Sequence, residues 1–270
     1  MSTYPFKRRN HRKPNVIVGS GGINPPVFHV PILPPYRERY SNVPFEDPSG
    51  VLTSTPGKHG MGFNPSVLAN YLRYSTSSYT EHVALTLPYT SIVFFDTMGS
   101  TPASWAALYF QGISSNFIAA HYQGGAYRYM SSNGGGYGVA GPTYVANERF
   151  VLYAIRYLAS TAEMVVIDST GMRSVTTAST NYNINIISDQ GSSGAFQIGQ
   201  DRAYGGRNWP SKIYDVRIYD RSVSDAQLAA LYLNPWAIYG EPGSNYFAPE
   251  AAASSGFSHW VGYPATRITI

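Results

Sequence analysis

Three glycines, Gly136, Gly138 and Gly141, have the G-x-G-x-x-G spacing of a dinucleotide-binding loop. Such a loop holds a pyrophosphate only where it follows a strand and opens a helix, because the helix N-terminus then faces the phosphates. Here a Ser/Asn/Gly run comes before the spacing, and Pro142 follows it directly. The spacing therefore predicts a flexible glycine loop, and we expect no nucleotide cofactor.

The acidic residues do not have the arrangement of a glycoside hydrolase. Such an enzyme needs two carboxylates that flank the scissile bond, and an E-x-D-x-E strand would present its acids on one face. Glu46 and Asp47 are adjacent, and Asp215, Asp220 and Asp225 follow at intervals of five. The chain has neither a G-x-S-x-G elbow nor an H-E-x-x-H helix. We therefore predict a protein that is not an enzyme, without catalytic residues.

Metal chemistry has equally little support. The chain has no cysteine, which excludes disulfides and thiolate sites. The histidines are scattered, with no pair at i, i+2 or i, i+4 spacing: His11, His29, His59, His82, His121 and His259. We expect these side chains to be structural hydrogen-bonding groups, and we expect no bound metal or cofactor.

Aromatic residues around a Gly/Ser-rich stretch are the best candidates for ligand contacts. An aromatic face suits the C–H surface of a sugar ring, so aromatics in rim loops can bind glycans. The candidate glycan-binding residues are Tyr122, Tyr127, Tyr129, Tyr137 and Trp209. The alternative interpretation is that these side chains fill a core or an oligomer interface.

The positive charge of the chain is concentrated near its N-terminus. Residues 1–40 have seven basic residues against one acid, a net +6, whereas the whole chain has only +4. Nine of the 19 prolines lie between Pro5 and Pro48, which predicts an extended segment. Apolar residues such as Val18, Phe28 and Ile32 make it unlike a solvated linker. We therefore expect residues 1–60 to form an arm that lies on another surface.

The predicted partner-binding residues of this arm are its basic side chains and one aromatic: Lys7, Arg8, Arg9, Arg12, Lys13, Phe28, Arg37 and Arg39. The run from Lys7 to Lys13 could pair with the phosphates of a nucleic acid, but it contains no aromatic residue for base stacking. We favour an acidic protein surface as its partner over a nucleic acid.

The rest of the chain predicts a β-protein. Short runs rich in Val, Ile, Thr and Tyr alternate with Gly/Ser/Asn/Pro clusters, and residues 150–168 have the pattern of a hairpin. Irregular alternation predicts a bulge near Asp215. Ser224 with Gln227 forms a capping-box pattern, which predicts one short helix ending before Pro235. No apolar run reaches the ~20 residues of a membrane span, and no apolar region follows the basic N-terminus as in a secretory signal.

The C-terminal motifs resemble those that close laminin-G-like, concanavalin-A-like jelly-roll domains. They are Phe196-Gln-Ile-Gly-Gln, Lys212-Ile-Tyr-Asp-Val-Arg-Ile-Tyr-Asp-Arg, and Ser222-Val-Ser-Asp-Ala-Gln-Leu-Ala-Ala-Leu-Tyr. The continuation Leu231-Tyr-Leu-Asn-Pro-Trp is similar to the ending of such domains in tailed-phage proteins. The resemblance implies an all-β antiparallel jelly-roll sandwich over 61–240, with one short C-terminal helix, the extended arm over 1–60, and a tail over 241–270.

The resemblance also implies a phage virion protein that is assembled in the host cytoplasm. We expect a capsid decoration or cement protein that attaches through its arm to the major capsid protein or another virion protein. The alternative is a carbohydrate-binding adhesin of a tail fibre or capsid that binds host glycans. We expect a homo-oligomer, no membrane and no nucleic acid. Calcium on the rim loops, as in related sandwiches, is the alternative to the expected absence of a metal.

Overall fold

Extended chain accounts for most of the domain. The computed structural model describes residues 26–32, 45, 54–57, 60–65, 72–74, 87–112, 116–133, 136–178, 196–200 and 207–235. The strands are β1 (Phe28–Pro31), β2 (Ser54–Gly57), β3 (Gly60–Phe63), β4 (Leu72–Tyr74), β5 (Tyr89–Phe95), β6 (Ala106–Gly112), β7 (Asn116–Gln123), β8 (Ala126–Asn133), β9 (Gly136–Thr143), β10 (Val151–Tyr157), β11 (Thr161–Asp168), β12 (Gly171–Ala178), β13 (Phe196–Ile198) and β14 (Ile213–Tyr219). The helix is α1 (Asp225–Leu233).

Two antiparallel sheets form a sandwich, which confirms the predicted fold class. The larger sheet has eight strands in the order β12-β11-β10-β5-β14-β3-β2, and β1 also pairs with β14. The smaller sheet has six strands in the order β4-β13-β6-β7-β8-β9. The hairpin β10–β11 and the helix lie where the sequence predicts them. Of the described residues, none belongs to a helix long and apolar enough to cross a membrane.

Both faces of the larger sheet are buried at its centre, which explains why β5 and β10 lack a polar face. Alternate residues such as Val93 and Tyr153 point into the layer between the two sheets. Their neighbours, including Ile92 and Leu152, point outwards into a second apolar layer that Leu228 of α1 covers. A helix packed on one face and a sheet on the other is the arrangement that favours continuous apolar strands.

The helix is held in place by its cap and by a buried arginine. Ser224 accepts a hydrogen bond from the backbone of Gln227 at 3.3 Å, and the Gln227 side chain accepts one from Ser224 at 2.9 Å. Arg156 of β10 donates to the Val223 carbonyl at 2.5 Å and forms an ion pair with Asp225 in the first turn of α1. Asp225 therefore serves the structure, as a carboxylate near a helix N-terminus does.

The strand β14 contains the predicted bulge. Its register against β5 shifts between Ile213 and Asp215, and this shift confirms the irregularity expected from the sequence. Asp215 is buried, and it forms an ion pair with Arg217 and with His29 of β1, the latter at 2.7 Å. Burial opposes ionisation, but Arg217 and His29 outweigh it and lower the pKa of Asp215.

Phe28 belongs to the sandwich, which corrects its prediction as an arm residue that binds a partner. It pairs with Ile218 in the β1–β14 ladder, it is 1% exposed, and its ring lies 5.3 Å from that of Phe196. Phe45 packs on the same cluster. These apolar residues of the predicted arm are buried in their own domain because β14 offers an edge on which β1 can pair. The basic arm residues and the tail over 241–270 lie outside the described residues. The predicted boundary at residue 60 lies between β2 and β3, which pair with each other in the larger sheet.

The glycine motif is part of a strand. Gly136, Gly138 and Gly141 lie in β9, so the prediction of a loop is wrong. The next element along the chain is the strand β10, whereas a dinucleotide fingerprint opens a helix. A side chain at Gly141 would meet the Met164 sulfur at 2.8 Å, so the glycine there permits close packing of β9 on the larger sheet.

Candidate functional site

Five connections meet at one end of the sandwich, which we call the loop rim. They are residues 96–105, 124–125, 144–150, 169–170, and the described parts of 199–212. The strand directions bring them together, because β5, β7, β9, β11 and β13 all end on this side. Backbone hydrogen bonds join the loops, for example from Thr97 to Glu148 at 2.8 Å and from Tyr144 to Gly125 at 2.9 Å.

Asp96 fixes two of these loops to each other. Its carboxylate accepts hydrogen bonds from the Lys212 backbone at 3.0 Å and the Tyr214 hydroxyl at 2.7 Å. Burial raises its pKa, although these hydrogen bonds act in the opposite direction. Asp96 is 5% exposed and its carboxylate oxygens are occupied by loop contacts, so it holds the rim together.

The remaining acids of the rim are also engaged in loop structure. Glu148 accepts a hydrogen bond from the Ser169 hydroxyl at 2.5 Å. Asp168 accepts from the Thr170 backbone at 2.9 Å and forms an ion pair with Arg173. Arg173 also donates to the Thr143 carbonyl at 2.6 Å, and it thereby joins the edges of the two sheets. Within the described chain no group of three or more histidines and acids is arranged to hold a metal ion.

The structure places the predicted glycan-binding aromatics inside the domain. Tyr122, Tyr127 and Tyr129 are 9%, 0% and 2% exposed, and Trp209 is 0% exposed. The three tyrosines point inwards by the alternation of β7 and β8, and all four residues belong to the main core cluster. Their position corrects the expectation that they line the surface of a rim. Tyr137 lies in β9, and its side chain is outside the described residues.

Trp209 instead supports the rim from below. Its ring makes an edge-to-face contact with Phe95 at 5.1 Å. The indole N–H points to the Asp96 carbonyl at 3.4 Å. Trp209 is therefore a core residue on which the rim loops rest.

Trp105 and Tyr144 are partly exposed aromatic residues in the described part of the rim, and Tyr144 packs against the core. Trp105 was not among the residues predicted from the sequence. It is the third residue of a turn closed by a hydrogen bond from Ala106 to the Ala103 carbonyl at 3.0 Å. Its backbone has φ 69°, the left-handed region that this turn position normally gives to glycine. Its ring is partly exposed and lies edge-to-face against His121 at 6.2 Å.

A tryptophan in this conformation is energetically unfavourable by about 1–2 kcal/mol. Such strained residues collect at ligand-binding sites, where the surrounding structure holds them in place. Asn147, on the neighbouring loop, also has a positive φ of 63°. One sequence signal pointed to Trp105: it directly follows the Gly/Ser/Thr/Pro-rich run 99–104 and precedes a strand, so it lies at the end of a loop.

A row of side chains on the outer face of the smaller sheet begins beside Trp105. His121 of β7 pairs directly with Arg128 of β8, which in turn pairs with Ala140 of β9. His121 is buried, Arg128 is half-buried and Ala140 is exposed. The indole, the imidazole and the guanidinium therefore lie side by side at the margin of the loop rim.

Comparisons with known proteins place the fold but not a family. No protein-family model matches the chain, and no curated protein matches it. Among solved structures, the sialidase of Trypanosoma rangeli in complex with 2,3-difluorosialic acid has a TM-score of 0.54 and 12% identity, over 80% of this chain and 34% of that chain. This chain thus spans about a third of the length of that enzyme.

Two further structures resemble the chain less closely. Domain 4 of AbnA, an extracellular GH43 arabinanase from Geobacillus stearothermophilus in complex with arabinotriose, has a TM-score of 0.49 and 14% identity, over 68% of this chain and 82% of that one. The LG1-3 region of the laminin alpha2 chain has a TM-score of 0.43 and 13% identity, over 60% and 31%. The fold assignment rests on the two-sheet topology, which is that of a jelly-roll sandwich.

The comparisons contradict the prediction that the chain is not an enzyme. The solved structures that resemble it with TM-scores above 0.5 include several of the Trypanosoma rangeli sialidase, a glycoside hydrolase. The prediction was based on the absence of hydrolase motifs from the sequence. That absence is not sufficient, because a similar sandwich occurs within a glycoside hydrolase. At 12% identity the likeness concerns the fold alone, and it assigns no catalytic residue to this chain.

The strained turn leads to a prediction about stability. Trp105→Gly and Trp105→Ala both remove the ring, but only glycine adopts a positive φ without strain. We expect the glycine variant to be more stable by about 1 kcal/mol in urea unfolding. At the neighbouring exposed residue Ser104, which does not have a positive φ, glycine should be less stable than alanine. If Trp105→Gly were also the less stable of its pair, the left-handed turn would be refuted.

Proposed function

We propose that the domain binds carbohydrate at the loop rim, where Trp105 provides the surface on which a sugar ring stacks. The observation that carries this proposal is the left-handed backbone of a partly exposed tryptophan. The fold keeps the other described rim aromatics in or against the core, yet it retains a strained conformation that brings this indole to the surface. An aromatic face is the side chain best suited to the C–H surface of a sugar.

The surroundings of Trp105 suit a ligand with many hydroxyl groups. Exposed polar residues with short side chains lie on the same loop and on the loop that contacts it: Ser100, Thr101, Ser104 and Asn147. Hydroxyl and amide groups both donate and accept hydrogen bonds, as sugar hydroxyls do. The Trypanosoma rangeli sialidase, solved with a sialic acid derivative, supports the proposal only in that a similar sandwich occurs in a protein that handles carbohydrate.

The direct test is binding of the full-length chain to a glycan array. We expect saccharides that bind the wild-type chain and are lost from Trp105→Ala, because truncation removes the stacking surface. Leu233→Ala is the matched control, since Leu233 is an exposed apolar residue at the end of α1 and outside the loop rim. Saccharides that bind both variants equally, or an array without any bound saccharide, would contradict the proposal.

A second proposal concerns the N-terminal segment, residues 1–25, which we suggest attaches the domain to a phage particle as a decoration protein. The segment has five basic residues and no acid, a composition suited to an acidic protein surface. β1 begins beside Ile218, at the end of the sandwich opposite the loop rim. A chain attached through this segment would therefore turn the loop rim away from the particle.

The test uses phage particles that lack this protein, prepared from the proposed source phage after its gene for this chain has been deleted. Tagged full-length chain should sediment with the particles, and chain without residues 1–25 should not, although its melting temperature should be unchanged. The deletion stops at residue 25 because a deletion to residue 40 would also remove β1 and the core residue Phe28. Full occupancy by the truncated chain, or no sedimentation of either chain, would refute the attachment.

A further inference from the structure

We infer that two copies of the chain pair side by side through the free edge of β12, so that their larger sheets become one continuous antiparallel sheet. The inference does not depend on the proposed carbohydrate site. It assigns an interaction surface, and the partner that fits it is a second copy of this chain. Three observations support it: the backbone groups that this edge presents, the lack of protection along it, and the match of the edge to itself.

The hydrogen bonds between β10 and β11 determine which way the backbone groups of β11 point. The Leu158 N–H donates to the Thr161 carbonyl at 2.8 Å, across the turn that joins these two strands. In an antiparallel pair, hydrogen-bonded and non-bonded residues alternate along the strand. The odd-numbered residues of β11 therefore bond to β10, and its even-numbered residues bond to β12.

The register of β12 then shows which of its backbone groups point away from the sheet. Val166, an even-numbered residue of β11, pairs with Arg173 in β12. The backbone groups of Arg173 therefore bond to β11, and those of the residues on either side face the free edge. The three edge-facing residues described with their side chains are all exposed: Met172, Ser174 and Thr176. In the described part of the chain β12 is the last strand of the larger sheet.

The free edge of β12 lacks the features that usually keep strand edges from pairing. Sheet edges are commonly short, bulged, interrupted by proline or lined with charges. β12 has eight residues without a proline, and its pairing with β11 has no register shift. Its one charged side chain, Arg173, is bonded to Asp168 and to the Thr143 carbonyl. The edge is therefore long, regular and weakly charged.

The other outer strands that the structure describes are less suited to pairing. β1 and β2 have four residues each, and they contain Pro31 and Pro56, whereas β4 has only three residues. β9 is as long as β12, but it contains three glycines and Pro142. Proline removes a backbone donor and glycine weakens a strand, so β12 offers the best edge among them.

The edge of β12 is complementary to itself about Ser174. Two antiparallel copies related by a two-fold axis form hydrogen-bonded pairs where their edge-facing residues oppose each other. With the axis at Ser174, this residue faces its own copy and Met172 faces Thr176 of the second copy. Each such pair exchanges two backbone hydrogen bonds, about six in all. Arg173 then lies opposite Val175, so no like charges meet.

The pairing orients the two loop rims in opposite directions. β12 begins next to the turn at residues 169–170, which belongs to the loop rim, and it runs towards the other end of the sandwich. An antiparallel second copy therefore has its loop rim at the far end. Only one of two such rims could turn away from a particle surface, so we assign the pairing to the free protein.

The first test uses cysteines, because the chain has none and each substitution gives one thiol per copy. Across the axis, the two copies of residue 174 are about 5 Å apart at Cβ, within reach of a disulfide. The two copies of residue 176 are displaced by four residues, or about 14 Å. In a glutathione buffer we expect Ser174→Cys to form a covalent dimer and Thr176→Cys to remain a monomer. A mixture of Met172→Cys with Thr176→Cys should also form a dimer, although neither variant does so alone.

The second test uses charge and needs no thiol. Ser174→Lys and Ser174→Glu each place like charges opposite each other at the axis, so we expect the dissociation constant of the dimer to rise at least tenfold. An equal mixture of the two variants should associate again, because lysine then faces glutamate. Ser160→Lys is the matched control, since Ser160 is an exposed serine in the turn between β10 and β11. The measurement is sedimentation velocity of the full-length chain up to about 0.5 mM, because a contact of this size is weak.

Three results would overturn the inference. They are a full-length chain that is monomeric throughout this concentration range, a dimer that Ser174→Lys does not weaken, and covalent dimers that form equally from Ser174→Cys, Thr176→Cys and Ser160→Cys. The melting temperature of each variant shows that it is folded, and the exposed side chains at these positions should leave that temperature nearly unchanged. None of these results alters the test of saccharide binding at Trp105.

Discussion

The loop rim depends on the layer of aromatic side chains that are packed between the two sheets. Tyr127, Tyr153 and Trp209 occupy this layer, and the rim loops rest on it through Trp209 and Asp96. Charged residues make up only 13% of the chain, and the described rim loops are held largely by aromatic packing and buried hydrogen bonds. Tyr144 is partly exposed but packs against this layer, whereas the turn at Trp105, with its left-handed backbone, brings a tryptophan to the surface of the loop rim.

This constraint gives the sandwich two different ends. At the loop rim, the buried acids Asp96 and Asp168 accept hydrogen bonds that hold the loops together. At the other end, Arg156 holds the start of α1, and β1 enters the larger sheet beside Ile218. Because β1 pairs on β14 and is fixed by the buried contact of His29 with Asp215, the segment before it is connected to the end opposite the proposed binding site.

Local signals in the sequence were sufficient for the sandwich but not for its site. The helix follows from the cap at Ser224, and the bulge near Asp215 follows from an interruption of the two-residue period. Phe28 could not be placed, because its partner Ile218 is distant in sequence and pairing across such a separation has no local signature. The alternation around Tyr127 shows that successive side chains face opposite ways, but it does not show which face is the core. The positive φ of Trp105 depends on a turn whose closure only the structure reveals.

The central claim is that a saccharide contacts Trp105 at the loop rim, and nuclear magnetic resonance of the indole N–H groups tests it most directly. The chain has four tryptophans, Trp105, Trp209, Trp236 and Trp260, so a 15N-labelled sample gives four assignable side-chain signals. During titration with a saccharide selected on the array, the account predicts that the Trp105 signal shifts in a saturable manner while that of the buried Trp209 changes least. A saturable shift confined to any other tryptophan, with the Trp105 signal unmoved, would contradict the account.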